Sequence, residues 1–430
     1  MTIPLIPIPS GLQTAFFANA EGALSSLPEL LKLAFPGLRP WIIADENTWR
    51  VAGETAQNLL KNAGLNPFDP YIFPGTPRLH PDYDYCIKLA DMMPENCVPV
   101  AVGSGVINDI TKCTAGRNNV HYCCVPTACS VDGYTSAGGA MSVNNFKKTV
   151  KCPAPYAICA DSLILKTAPQ PMFASGYADL MAKIPAGGDW YIADALGIEP
   201  IRKDVWDLIQ PKLRGWLSNP EELLGIFEGL AVTGYTMQIY NDSRPASGAE
   251  HLYSHIWEME GLMYNGEDVS HGFKVGIGSL ASTLLQEYII KHDLKELAPR
   301  MKPGLSCAER IAEIDALLVK GCYGGNAPKD TALEKFLEGD ALKQRRELIA
   351  SVWPKLQQSL SKQIYSYETL RDMLLKVNCP VKASDIGLDR EQFLHAIRAA
   401  QLIRKRYTVI DVLYEIGLLE DAMKDLEIML

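Results

Sequence analysis

The stretch VPVAVGSGVINDITK, residues 98–112, decides the fold of this chain. An apolar run opens into Gly103-Ser104-Gly105 and continues into a helical pattern that carries Asp109. A buried strand, a glycine turn and a helix in this order are typical of a parallel α/β sheet. Glycines at such a junction let the backbone approach a pyrophosphate, and free N–H groups at the helix start face its negative charge. Because the spacing is not G-x-G-x-x-G, a tight structural turn is the alternative to a dinucleotide site.

Short β-branched runs that end in turn residues flank this stretch between residues 39 and 165, and helical patterns lie between them. This alternation predicts a parallel sheet covered on both faces. From about residue 170 the chain has long amphipathic stretches and no clear strand, which predicts an all-helical region. We therefore predict a Rossmann-like α/β domain over residues 1–168 and an all-α domain over 169–430. The join falls near two prolines in KTAPQPM.

The composition narrows the class of protein. A chain of 430 residues with 47% hydrophobic and 21% charged residues is long enough for two or three cores. Its net charge of -9 argues against binding to duplex nucleic acid. The eleven cysteines include no C-x-x-C pair, which disfavours a disulfide scaffold and a thiolate zinc site and favours a reducing cytoplasm. With no basic N-terminal segment and no run of 18 apolar residues, we expect neither a signal peptide nor membrane insertion.

Two further loops follow predicted strands, where ligands of parallel sheets bind. The loop VPTACSVDGYTSAGGAM has Asp132 at its centre, with Thr127, Ser130 and Ser136 around it. Hydroxyl groups and small residues suit a polar ligand close to the backbone, although a surface turn has a similar composition. In IIADENTW, Asp45 ends a predicted strand. Its carboxylate could accept both hydrogen bonds of a ribose diol or cap the following helix, and the pattern favours neither use.

The segment SRPASGAEHLYSHIWE, residues 243–258, places His251 and His255 four residues apart in a helical pattern. This spacing puts both imidazoles on one helix face, where they could share a metal or a substrate. The alternative is a pair of buried, hydrogen-bonded histidines. Asp179 lies between a glycine and an apolar helical pattern, and His271 comes just before a glycine-flanked segment. With His251 they form the Asp/His/His set that a catalytic divalent metal requires. Only the tertiary fold can bring these three together.

In combination, these stretches resemble the sn-glycerol-1-phosphate dehydrogenases, especially the longer bacterial members. Their superfamily also contains glycerol dehydrogenases, iron-containing alcohol dehydrogenases and dehydroquinate synthases. The resemblance extends in order over nearly the whole chain. The matching segments are VGSGVINDITK, VPTACSVDGYTSAGGA, KKTVKCPAPYAICAD, FASGYADLMAK followed by DW, SRPASGAEHLYSHIWE, HGFKVGIG and RKRYTVIDVLYEIGLL. Two positions depart from the pattern: Cys129 replaces a proline or small residue, and Pro185 falls where relatives continue as a helix.

The resemblance implies a dehydroquinate synthase-like fold, a homodimer, and one divalent metal, with zinc, nickel and iron as the choices. It implies that NAD or NADP is held by Asp45, Gly103, Ser104, Gly105, Val106, Ile107, Thr127, Ala128, Cys129, Ser130 and Ser136. The implied metal ligands are Asp179, His251 and His271. Asp132 and His255 would contact the substrate and are the catalytic candidates, and Asp179 would border the substrate too.

The expected reaction is the interconversion of dihydroxyacetone phosphate and sn-glycerol 1-phosphate by hydride transfer. His255 is a candidate for general acid/base duty or for hydrogen bonding to the substrate. Recognition of the substrate phosphate needs a cation, for which Arg244, Lys147 and Lys148 are the candidates. The alternatives are an unphosphorylated glycerol or polyol dehydrogenase and a non-catalytic dinucleotide-binding regulator. A dehydroquinate synthase is disfavoured because no matching set of additional basic residues is visible.

Overall fold

The protein is built on a six-stranded parallel sheet followed by a helical region. The computed structural model describes residues 3–143, 146–301, 304–319, 321–323, 325 and 327–430, without the side chains of residues 146 and 147. The sheet has the order β1-β8-β5-β4-β2-β3, and all its pairs are parallel. Its strands are β1 (Phe16–Ala20), β2 (Arg39–Asp45), β3 (Tyr71–Phe73), β4 (Cys97–Gly103), β5 (Cys123–Pro126) and β8 (Ala157–Asp161). The predicted parallel α/β sheet is confirmed.

The apolar runs of the sequence form the inner strands because helices cover both faces of the sheet. Every residue of β4 and β8 is buried, so neither strand shows the alternation of a half-exposed strand. Val98, Val100 and Val102 pack with Ile42 and Cys123 in one hydrophobic core. The helices of this region are α1 (Leu27–Ala34), α2 (Glu46–Thr48), α3 (Glu54–Asn62), α4 (Tyr83–Asp91), α5 (Gly105–Arg117) and α6 (Ser162–Leu165).

Strand β1 and an antiparallel hairpin were not predicted. The hairpin pairs β6 (Gly138–Val143) with β7 (Phe146–Lys151) outside the main sheet. Strand β1 is an edge strand of five residues that pairs only with β8 among the described strands. A strand of only five residues is too short to give a clear sequence pattern.

The chain forms two compact units whose bounds differ from the predicted division at residue 168. The first contains Met1–Leu180 and Arg214–Asp242, and the second contains Met181–Leu213 and Ser243–Leu430. Residues 214–242 join the first unit because helix α10 (Leu223–Tyr240) packs there. The ring of Phe227 lies 5.9 Å from that of Phe17 and 5.3 Å from that of Tyr134. An amphipathic pattern shows that a helix buries one face, but it does not show against which core.

Among its described residues, the second unit has α-helices, short 3-10 helices, loops and one short hairpin, Met263–Tyr264 with Glu267–Asp268, which was not predicted. None of the helices in the described part of the chain combines the length and apolarity needed to cross a membrane. The remaining helices of the chain are α7 (Gln170–Met181), α8 (Lys183–Ala195), α9 (Lys203–Ser218), α11 (Ala249–Met259), α12 (His271–Lys291), α13 (Leu294–Leu297), α14 (Cys307–Leu317), α15 (Ala327–Lys335), α16 (Gly339–Gln363), α17 (Tyr367–Lys376), α18 (Arg390–Ala400), α19 (Val409–Glu415) and α20 (Leu419–Ala422).

Helices α11 and α12 cross closely, and a glycine makes the crossing possible. A Cβ atom at Gly278 would lie 2.5 Å from the carbonyl oxygen of Glu250, so a larger residue would push the helices apart. On its other side α11 packs against α18, where the rings of Trp257 and Phe393 stack at 6.2 Å. The close crossing brings the histidine-bearing segments of α11 and α12 together.

Pro185 lies in the first turn of a helix, just after a break in the helical chain. Helix α7 ends at Met181, and α8 begins at Lys183 with Pro185 in its first turn. A proline is tolerated there because the first N–H groups of a helix have no partner within the helix. Asp179 therefore lies in the last turn of α7.

Candidate active site

A glycine turn joins β4 to α5 at the carboxyl edge of the sheet. A Cβ atom at Gly103 would lie 2.5 Å from the Cβ atom of Ile107, so only glycine fits where the helix folds back over the strand. The amide of Asn108 donates the first intrahelical hydrogen bond, to the carbonyl of Ser104 at 3.0 Å. The amides of the preceding turn, which begins at Gly105, are donors without intrahelical partners. Such a helix start can bind an anion.

The loop after β5 lies beside this turn. The amide of Thr127 donates to the carbonyl of Gly103 at 3.1 Å, which joins the ends of the neighbouring strands β5 and β4. Residues 127–130 are buried. The hydroxyl of Tyr134 donates to the carbonyl of Ala128 at 2.7 Å and lies 3.4 Å from the Ser130 hydroxyl. The loop is thus held in one conformation next to the helix start.

Side chains of α5 fix the rest of the loop. Lys112 is fully buried, and its Nζ donates to the carbonyls of Gly133 at 2.8 Å and Gly138 at 3.0 Å. Nζ also lies 3.3 Å from Oδ1 of Asp109, whose Oδ2 accepts from the amide of Ala140 at 3.1 Å. Burial raises the pKa of Asp109 above its usual range, although Lys112 opposes that shift. Lys112 and Asp109 therefore hold the loop in position from helix α5.

The hydroxyl of Ser136 donates to the same two carbonyls that Lys112 binds, each at 3.1 Å. Ser136 therefore strengthens the loop, while its partly exposed position keeps it accessible to a ligand. Lys112 and Asp109 were missed as site residues. Their signal in the sequence is a spacing of three on one helix face immediately after the glycine turn.

Asp45 serves as a helix cap. Its Oδ1 accepts from the amides of Asn47 and Thr48, each at 2.8 Å, and the Thr48 hydroxyl accepts from the Asp45 amide. In the described part of the chain its Oδ2 has no hydrogen bond. One carboxylate oxygen therefore stabilises the helix start. The other oxygen takes no part in the cap, and Asp45 is the last residue of β2, the strand that pairs with β4, so capping does not exclude contact with a ribose.

Asp179 and Asp132 are neighbours in the first unit. Oδ2 of Asp179, which is fully buried, accepts from the amide of Asp132 at 2.9 Å. Helix α7 lies directly on the loop, since a Cβ atom at Gly176 would be 1.9 Å from the carbonyl oxygen of Cys129. One helical turn after Gly176, Asp179 therefore reaches the loop.

His251 is held by the glutamate that precedes it. Its Nδ1 lies 2.8 Å from Oε1 of Glu250, which also accepts from the amide of Gly248. Burial alone would raise the pKa of Glu250, but the hydrogen bond and charge of His251 and the Gly248 amide outweigh it and lower that pKa. An ionised carboxylate only accepts hydrogen bonds, so the His251 proton resides on Nδ1 and Nε2 is left as a potential ligand atom.

Glu258 holds the other two imidazoles of the cluster. Its Oε2 lies 3.4 Å from Nδ1 of His255, and its Oε1 lies 3.4 Å from Nδ1 of His271. Lys274 pairs with Oε1 at 2.8 Å. Burial alone would raise the pKa of Glu258, but the hydrogen bonds from His255 and His271 and the charge of Lys274 hold it well below its usual range. By the same reasoning, both imidazoles present Nε2 away from Glu258.

His255 differs from the group expected for proton transfer near neutral pH. Burial lowers the pKa of His255 to about 4; Glu258 opposes this shift, whereas Arg404 and His251 reinforce it. The imidazole is therefore neutral at pH 7. A neutral imidazole with its proton on Nδ1 can accept a hydrogen bond at Nε2, which fits substrate binding better than proton donation.

The rings of His251 and His271 lie 5.4 Å apart. Among the described residues, one set of side chains has the spacing that a bound cation requires: Asp179, His251 and His271 each offer a ligand atom, all within 4.8 Å of one another. A carboxylate and two imidazoles suit zinc, nickel or iron. The donor set therefore fits the expected metal.

The structure argues against Arg244 as a phosphate ligand. Arg244 is buried, and its guanidinium donates to the carbonyl of Asp189 at 2.8 Å and pairs with Glu199 at 3.2 Å. Burial and the charge of Glu250 raise the pKa of Asp189 to about 7, although the charge of Arg244 opposes this. The positive charge of Arg244 is thus used inside the second unit, which its position seven residues before His251 did not reveal.

Of the other two cations considered for the phosphate, Lys148 is exposed on β7. The side chain of Lys147 lies outside the described residues. Glu250 and Glu258 were also missed by the sequence analysis. Their signal is position, since Glu250 adjoins His251 and Glu258 follows His255 by three residues on the same helix face.

Comparison with known proteins yields a consistent set of relatives. Residues 18–169 match the profile of a family described as "Iron-containing alcohol dehydrogenase". A "Glycerol-1-phosphate dehydrogenase [NAD(P)+]" of Halalkalibacterium halodurans is 30% identical over 76% of this chain and 88% of its own length. The protein of that name from Bacillus subtilis is 30% identical over 87% and 84%.

Among solved structures, glycerol dehydrogenase from Schizosaccharomyces pombe covers 98% of this chain and 92% of its own, with a TM-score of 0.54 and 15% identity. At that identity the similarity concerns the fold alone.

Proposed function

Because the chain belongs to the glycerol-1-phosphate dehydrogenase family, we propose that it is a metal-dependent NAD(P)-linked oxidoreductase. Its proposed reaction interconverts dihydroxyacetone phosphate and sn-glycerol 1-phosphate. The observation that carries the proposal is the set of Asp179, His251 and His271, whose ligand atoms lie within 4.8 Å of one another. A non-catalytic regulator would have no need of all three ligands.

The proposed NAD(P) site comprises the ends of β2, β4 and β5. The amides at the start of α5 would bind the pyrophosphate, since Gly103 has no side chain to keep a ligand away from the backbone. Oδ2 of Asp45 would accept from the ribose, and residues 127–130 with Ser136 would line the cofactor. Lys112 and Asp109 support this role indirectly, because they hold the loop in place through its carbonyls and amides.

The proposed metal ligands are Asp179, His251 and His271. When bound there, a divalent cation would stabilise negative charge on the ketone oxygen as hydride arrives from the nicotinamide. The chain itself prepares the ligands, because Glu250 holds the Nδ1 proton of His251 and Glu258 that of His271. Such outer carboxylates orient an imidazole and increase its basicity.

Asp132 and His255 are proposed to hold the substrate. The backbone amide of Asp132 donates to Asp179, so the Asp132 backbone lies next to the proposed metal ligand. His255 would accept a hydrogen bond from a substrate hydroxyl at Nε2. Lys148 remains a candidate for the phosphate. The cytoplasmic location and the homodimer stay predictions.

The test is oxidation of NADH and NADPH with dihydroxyacetone phosphate and with dihydroxyacetone, before and after removal of metal with EDTA. We expect NADH or NADPH to be oxidised with dihydroxyacetone phosphate. Its KM should be at least about tenfold lower than that of dihydroxyacetone, a binding advantage of about 1.4 kcal/mol. EDTA should abolish this activity, and added Zn²⁺, Ni²⁺ or Fe²⁺ should restore it. Equal kcat/KM for both ketones would indicate a polyol dehydrogenase. No oxidation of either by the metal-loaded protein would indicate a regulator.

A further inference from the structure

Glu258 touches two histidines for which different duties are proposed. One carboxylate oxygen faces His271, a proposed metal ligand, and the other faces His255, the proposed substrate contact. We propose that Glu258 is a shared positioning residue, which sets the orientation of both imidazoles and so couples metal affinity to substrate binding. This inference rests on the proposed function and assigns a role to a residue that does not itself touch metal or substrate.

The geometry limits how Glu258 can move. With 3.4 Å contacts from opposite oxygens to His255 and His271, rotating the carboxylate to improve one contact lengthens the other. At 3.4 Å both contacts are at the long end of the range for hydrogen bonds, so neither histidine is favoured over the other. A shift of either imidazole is therefore transmitted to its neighbour through a single planar group.

Lys274 holds the carboxylate in place. It lies on α12, three residues after His271, and its Nζ is 2.8 Å from Oε1 of Glu258. Both side chains are largely enclosed, at 4% and 16% exposure, so solvent screens the pair weakly. The pair also keeps the local charge balanced, because the positive Lys274 offsets the negative Glu258 beside the proposed metal site.

Glu250 provides a natural contrast. Its Oε1 contacts Nδ1 of His251 at 2.8 Å, and that imidazole has only the proposed metal duty. Removing the charge of Glu250 is therefore expected to weaken metal binding alone. Removing that of Glu258 is expected to weaken metal binding and substrate binding together, which a role in metal binding alone would not predict.

The experiment uses the full chain, freed of metal and titrated with Co²⁺, with the visible absorption of the bound ion as the signal. Dihydroxyacetone phosphate is then added at saturating Co²⁺, and its dissociation constant is read from the change in that spectrum. The variants are Glu258→Gln, Glu250→Gln and the exposed hairpin control Glu267→Gln. Circular dichroism in EDTA checks that each variant is folded.

We expect Glu258→Gln to weaken Co²⁺ binding about 10–100-fold and to weaken ketone binding at least about threefold, or about 0.65 kcal/mol. Glu250→Gln should change only the first constant, and Glu267→Gln neither. If Glu258→Gln does not fold, Glu258→Asp takes its place, since its shorter side chain cannot reach both imidazoles and should show both losses.

The inference is overturned if the tested Glu258 variant changes Co²⁺ and ketone binding by less than twofold, or if only one of the two constants moves. It also fails if the unmodified protein binds no Co²⁺. Neither readout needs turnover, so a protein that binds Co²⁺ and the ketone without oxidising NADH would refute the proposed function and leave the role of Glu258 standing.

Discussion

Replacing Lys112 with methionine removes a buried charge and leaves the side-chain volume nearly unchanged. Lys112 donates to two loop carbonyls, those of Gly133 and Gly138, and neutralises Asp109. The substitution therefore takes three interactions from one fully buried atom and leaves Asp109 without its cation. We therefore expect a large loss of stability. We also expect a weaker affinity for NADH, because the same loop is proposed to line the cofactor site.

The size of the effect follows from these contacts. A hydrogen bond to a charged group contributes about 1.5–3 kcal/mol, and breaking a buried ion pair by removing one partner costs about 3–5 kcal/mol. These terms overlap, so we expect the free energy of unfolding to fall by about 3–5 kcal/mol at pH 8. In a domain of 150–250 residues this corresponds to a Tm lower by roughly 6–20 °C.

The loss should depend on pH. Burial already raises the pKa of Asp109, and removal of Lys112 raises it further. For a group whose pKa is raised in the folded state, the favourable contribution is present below the unfolded pKa and is lost as the pH rises through the folded pKa. The Lys112→Met deficit should therefore be smaller at pH 5, where Asp109 can take up a proton, than at pH 8.

Urea unfolding followed by circular dichroism at both pH values measures the stability, and quenching of NADH fluorescence measures the affinity. The double variant Asp109→Asn/Lys112→Met is the control, because it also loses the two loop hydrogen bonds of Lys112 but leaves no unpaired buried charge at position 109. The reasoning is refuted if Lys112→Met costs less than about 1 kcal/mol, if its cost is the same at both pH values, or if the double variant is no more stable than the single one.

Two other substitutions test the assignments. Arg244→Met should lower the free energy of unfolding by about 3–5 kcal/mol, measured by urea unfolding. The KM for dihydroxyacetone phosphate, measured by steady-state kinetics, should stay within about threefold. A rise in KM of about tenfold at unchanged stability would instead identify Arg244 as a phosphate ligand. Gly176→Ala should destabilise the protein by about 1–3 kcal/mol or more, because its Cβ atom would overlap the Cys129 carbonyl. The control Gly215→Ala has open space around it and should be neutral or stabilising. Similar Tm values for the two variants would contradict the close packing of α7 on the loop.

Much of the fold was predictable because its signals are local. The apolar run of β4 and the glycine turn after it predicted a parallel strand followed by a helix, and this is the observed arrangement. Strand β1 was missed because an edge strand of five residues carries little pattern. The unit bounds also differ from the predicted boundary, since the partner of an amphipathic helix such as α10 depends on the whole core.

The candidate site was only partly predictable. The Asp/His/His set was predicted from residue types and from a family resemblance. These indicate which groups a residue can bind, but not which neighbours it contacts in the fold. Arg244 offers a cation in sequence, but in the fold that buried cation pairs with the partly exposed Glu199. No role was predicted for Lys112, yet its Nζ donates to two loop carbonyls.

By itself, the order of amino acids determined the parallel sheet, the helical second half and the residue types able to bind a cofactor and a cation. Those properties follow from periodicity and from the chemistry of single side chains. Only the tertiary structure decided which charges are consumed by neighbours and which remain for a ligand. Such pairing depends on contacts between residues far apart in the chain. The close crossing of α11 and α12 at Gly278, for example, brings His271 to the same carboxylate, that of Glu258, which His255 contacts.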